Sequence, residues 1–87
     1  MSETDTDRGQ WERLGYLFQA RVEYLENRDI RAWHLYLAAA DVDPSAAQVP
    51  LLEAGRLADR AARLDWLEEA VRRLAALDQK KPITGEW

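Results

Sequence analysis

The chain has 87 residues and no cysteine, and its 12 Lys and Arg against 16 Asp and Glu give a net charge of −4. That is one domain's worth of chain, with a thin core that buries roughly 64% of the open chain's surface. Globular composition (47% apolar, 32% charged) argues against wholesale disorder, while a mean hydropathy of −0.53 excludes a membrane span and the missing cysteines exclude disulfides, thiol nucleophiles and Cys-ligated metal centres.

Residues 1–9 are acidic, lack an apolar run, and are expected to form a flexible acidic tail. They resemble neither a secretory signal nor an Arg-rich transit peptide, which predicts a cytoplasmic protein. A single helical domain is expected over 10–80, followed by a C-terminal tail over 81–87. From Trp11 onward, Leu14, Phe18, Val22 and Leu25 recur at spacings of three and four, which predicts one apolar helical face packed on the core, widened by Leu17 and Tyr24. The polar break Asn27-Arg28-Asp29 ends that helix, and Ile30, Trp33, Tyr36, Leu37 and Ala40 place a second over about 29–42. Pro44 stops it, because proline disfavours helical backbone at Asp43 and has no N–H to donate.

Residues 44–49 read as a short helical turn or loop, and Pro50 suits the first turn of a third helix. At about 100° per residue, Leu57, Ala61 and Leu64 share one azimuth, whereas Leu67, Ala70, Val71 and Leu74 centre roughly 100° away. One straight helix would not change face in this way. Two helices are therefore favoured, about 51–63 and 66–79, the second opened by an Asp65-to-Glu68 capping-box variant, with a single helix that presents its two halves to different neighbours as the alternative. The fold class is all-α, with four helices in two antiparallel helix hairpins, arranged as a stacked pair or as a closed four-helix bundle.

The stretch from Ala32 to Pro44 aligns without gaps on Ala70 to Pro82, small residue on small, Trp33 on Val71, Tyr36 on Leu74 and proline on proline. Leu57-Ala58, Ala61, Asp65-Trp66-Leu67, Ala70-Val71, Leu74, Leu77 and Pro82 complete a pattern over 51–84. Ala32, Tyr36, Ala39 and Asp43-Pro44, with Trp11, Leu14, Gly15 and Phe18 ahead of them, form a less regular copy with about five extra residues between its halves. This pattern resembles the tetratricopeptide repeat, a helix-turn-helix unit closed by proline. The resemblance implies that the first helix of each unit lines a concave binding groove.

Chemistry has little to work with. His34 is the only histidine, so a two-His zinc site cannot be built in one chain. Ser2 and Ser45 are the only serines, with no nucleophile elbow around either. Asp41, Asp43 and Ser45 alternate like early calcium-loop ligands, but Ala46 and Leu52 stand where the loop needs Gly and Glu, so turn and capping roles are expected for them. Four scattered glycines make no phosphate-cradling loop. No catalytic residue, metal site or cofactor is expected.

Arg56, Arg60 and Arg63 recur at spacings of four and three, with Asp59 among them. They read as a solvated stripe or, functionally, as a face that grips the carboxylates of an acidic peptide or protein surface. Trp87, in a tail with no core around it, is a candidate anchor at an interface. In an acidic chain three arginines are a weak footprint for nucleic acid. The sequence thus predicts a non-catalytic protein-interaction module, an adaptor or assembly factor. An accessory or regulatory subunit of an enzyme complex is the alternative, and a helical DNA-binding regulator a third reading. A thin core with faces on two azimuths also suggests burial completed in a homodimer.

Overall fold

The computed structural model describes residues 2–80. Four helices follow one another: α1 (Ser2–Leu25), α2 (Asp29–Val42), α3 (Gln48–Arg60) and α4 (Leu64–Lys80), with a single 3-10 turn, Pro44–Ala46, between α2 and α3. They form two antiparallel hairpins, α1 with α2 and α3 with α4, joined where α2 packs on α3. The result is a slab of 40 × 36 × 15 Å. None of the described helices is long and apolar enough to cross a membrane.

Both hairpins turn by the same backbone device. In the first, Asn27 N–H bonds the Tyr24 carbonyl at 3.1 Å and Arg28 N–H the Glu23 carbonyl at 2.9 Å. In the second, Ala62 N–H bonds the Asp59 carbonyl at 3.1 Å and Arg63 N–H the Ala58 carbonyl at 2.9 Å. This is the Schellman closure, which needs a left-handed residue after the helix. Asn27 (φ 63°) and Ala62 (φ 57°) supply it. Asparagine tolerates that conformation, whereas alanine there is about 1 kcal/mol worse than glycine.

The left-handed Ala62 also settles the 50–79 segment as two helices. It ends α3 at Arg60, three residues short of the expected 63, and α4 begins at Leu64. Asp65 therefore lies inside the first turn of α4 instead of capping it, where its charge still suits the dipole.

At the other end of the chain, α1 is helical from Ser2, where a tail over 1–9 was expected. Gly9 brings this early part of α1 close to the end of α2, since a Cβ there would meet the Val42 carbonyl oxygen at 3.3 Å. One turn on, Arg13 Nε donates to Asp43 at 3.0 Å, and Asp43 also accepts from the Ser45 hydroxyl at 2.8 Å. Asp43 thus ties α1 to the link between α2 and α3.

Alanine dominates the core. Ala20, Ala32, Ala39, Ala54, Ala58 and Ala70 pack fully buried around Leu17, Trp33, Tyr36 and Leu57, and Ala40, Ala47 and Leu51 form a smaller cluster against Leu37, Leu74 and Leu77. Small residues let helix backbones approach closely, so few large side chains are needed to fill the space between them.

The orientation of α1 corrects the sequence reading. Its face of large apolar residues points outward, with Trp11 72%, Phe18 68% and Leu25 77% exposed and Leu14 and Val22 partly so. Leu17 and Ala20 are the residues buried against the hairpin. Two polar pairs fix that rotation, Arg13 to Asp43 and Arg21 to Glu53. Ile30, Leu64 and Val71, each expected on a packed face, are exposed as well.

Candidate functional site

Side chains bridge each helix to the next but one. Between α1 and α3, Arg21 grips Glu53 with both arms of its guanidinium, at 2.9 and 2.5 Å. Between α2 and α4, Arg73 reaches Asp41 at 3.4 Å, and the Trp33 and Trp66 rings stack in parallel, centroids 5.0 Å apart. The helices α1 and α3 therefore share one side of the slab, and α2 and α4 the other.

On the α1/α3 side lies a cleft of about 250 Å³ with Arg21, Tyr24 and Leu25 on one wall, Glu53 and Arg56 on the other, and Tyr36 of α2 at its floor. The Arg21 guanidinium holds the Glu53 carboxyl below its ordinary range, helped by a hydrogen bond from Tyr36 and the charge of Arg56. Burial pushes the Tyr36 phenol up to about 12, and the neighbouring Glu53 carboxylate adds to the effect. A neutral Tyr36 beside an ionised Glu53 is thus built into the floor.

This coupling has a consequence for alkaline stability. Tyr36 in the unfolded chain ionises near pH 10, whereas in the fold it does so near 12. Its contribution is full below pH 10 and is lost as the pH rises from there through about 12. Allowing for solvent screening at the cleft, the loss should be up to about 2 kcal/mol. Urea unfolding of wild type and Tyr36→Phe across that window checks this, since the variant should lack that part of the decline.

The predicted arginine stripe is not continuous. Arg60 is drawn into the fold: its guanidinium carbon lies 3.7 Å from the Tyr24 ring centroid, it donates to the Tyr24 carbonyl at 3.0 Å, and it pairs with Asp29. It clasps the end of α1 and the start of α2 to α3. Arg63 lies beyond α3, with its guanidinium 4.1 Å from the Trp66 centroid and 3.1 Å from Asp65. With Trp33 stacked on one face of Trp66, Arg63 covers the other. Arg63 also borders a second cleft of about 470 Å³ at the turn end of the slab, beside Arg28, Arg31, Ile30 and Trp66.

Only Arg56 of the three lines the α1/α3 cleft, and it makes no ion pair among the described residues. Asp59 is exposed on α3 and borders neither cleft described above. His34 is exposed on α2. Trp87 lies outside the described residues.

Sequence reasoning missed Arg21, Tyr24, Leu25 and Glu53 as cleft residues. One signal was present: with Leu17, Ala20 and Tyr24 added to the Trp11-to-Leu25 stripe, the apolar arc of α1 is too wide for a single neighbour. No protein-family model, curated protein or solved structure matches this chain.

Proposed function

We propose that this protein is a non-catalytic interaction module, built on the plan of a tetratricopeptide pair, that holds a partner protein or acidic peptide against its α1/α3 side. The observation behind this reading is the apolar stripe of α1, open to solvent and bordering through Leu25 a cleft that holds the unpaired Arg56. Large exposed apolar patches rimmed by polar groups mark interaction surfaces. Helix-to-helix packing in chain order and the repeated turn at Asn27 and Ala62 support the repeat-like build. Arg56 offers a planar fork to a carboxylate, while Arg21 is already spent on Glu53. The partner segment then carries apolar residues with an acidic side chain beside them.

Selection from a random peptide library tests this. Peptides retained by the wild type should place Asp or Glu at a fixed position next to apolar residues. Arg56→Glu should weaken them by about tenfold, on the order of one desolvated charge pair, and shift selection toward Lys or Arg at that position. An unchanged preference in the variant would remove Arg56 from the site.

A further inference from the structure

The exposed stripe of α1 is symmetric in its spacing about Phe18. Trp11 and Leu25 stand seven residues either side of Phe18, and Leu14 and Val22 four either side. At a rise of about 1.5 Å and a turn of about 100° per residue, the five side chains form a strip roughly 21 Å long and about 80° wide, centred on Phe18. A strip whose spacing is the same from either end suits an isologous contact, in which residue i of one copy meets residue j of the other and j meets i on the same patch.

We propose that two copies of this protein dimerise by packing their α1 helices antiparallel about a two-fold axis at Phe18. The inference rests on the reading of the α1 side as a docking surface: it gives the stripe to the second copy and leaves the Arg56 cleft beside it to the partner segment. In this register Trp11 meets Leu25 of the second copy, Leu14 meets Val22, and Phe18 meets Phe18. The largest side chain is set against a medium one at each end, so the layers are of even volume, as close packing demands. A parallel pair would put Trp11 on Trp11 at one end and Leu25 on Leu25 at the other.

Charge favours the same direction. Arg8 and Glu26 are exposed on one flank of the stripe, ten residues before and eight after Phe18. Antiparallel pairing brings Arg8 of each copy beside Glu26 of the other, with the helix dipoles opposed; parallel pairing would set each Arg8 level with the other copy's Arg8 on the opposite flank, away from any Glu26. Glu26 already pairs with Arg28 at 2.9 Å, on an exposed side chain free to take a second cation.

The size is sufficient. The five side chains expose on the order of 600 Å² per copy, so their burial in both copies reaches about 1,200 Å², the lower end of stable specific interfaces. Because Leu25 borders both the stripe and the Arg56 cleft, the second copy would add a wall to the cleft that takes the partner.

The absence of cysteine makes the register directly testable. Under mild oxidation, Phe18→Cys should cross-link to itself across the axis, Trp11→Cys should not, and a mixture of Trp11→Cys with Leu25→Cys should form the mixed dimer. Sedimentation equilibrium should give twice the monomer mass for wild type, and Phe18→Glu should weaken the dimer by at least about 100-fold with an unchanged circular-dichroism spectrum. A wild type that stays monomeric at its highest soluble concentration, or a Phe18→Glu dimer as tight as wild type, overturns the proposal. Efficient self-cross-linking of Trp11→Cys overturns the antiparallel register. Peptide selection through Arg56 is read separately, so failure of the dimer and failure of the module reading are distinguishable.

Discussion

Replacing Trp33 with alanine should lower the melting temperature by more than about 12 °C or abolish a cooperative transition, since removal of a buried Trp side chain costs about 3 to 5 kcal/mol and each kcal/mol shifts a domain of this size by about 4 to 8 °C. Trp33 is 5% exposed and packs with Ala32, Tyr36, Leu57 and Ala70, so its removal opens a cavity where α2 meets the second hairpin. It also ends the stack on Trp66, whose other face is covered by Arg63. Offset-stacked aromatic pairs add about 1 kcal/mol beyond area, so Trp33→Ala and Trp66→Ala should fall short of additivity by about that amount. Melting followed by far-ultraviolet circular dichroism reads both quantities. A Trp33→Ala variant that melts within a few degrees of wild type would mean that the two hairpins are not held together there.

Much of this architecture was legible in the chain. Pro44 and Asn27-Arg28-Asp29 mark ends that are stereochemically forced or strongly preferred, and α2 falls at the predicted 29–42. The change of apolar azimuth after Leu64 correctly divided the second half into two helices. The boundary itself was misplaced, because Ala62 in the left-handed conformation has no sequence mark of its own; alanine there looks like helix.

The site was less legible, for a physical reason. Periodicity identifies an apolar face but does not say what faces it. In α1 the large residues invited placement in the core, whereas the neighbours of α1 offer alanines, which receive Leu17 and Ala20 closely and leave no room for Trp11 or Phe18. The deciding contacts, Arg13 with Asp43 and Arg21 with Glu53, join residues about thirty apart and follow no local pattern. Similarly, the spacing of Arg56, Arg60 and Arg63 suggested one stripe, but each ended in a different setting: an open cleft, a clasp on Tyr24, and a cover over Trp66.

The outward stripe is the feature on which the functional reading depends, and thermal melts of two adjacent substitutions test it most directly. Leu17 is 4% exposed and Phe18 is 68% exposed. Leu17→Glu forces a carboxylate into the alanine-lined core and should cost at least about 3 kcal/mol, enough to unfold much of a small domain. Phe18→Glu puts the same charge into water and should retain the helical spectrum and a cooperative melt. The reverse order, with Phe18→Glu unfolded and Leu17→Glu intact, would place the stripe in the core and leave no α1 surface for a partner or a second copy.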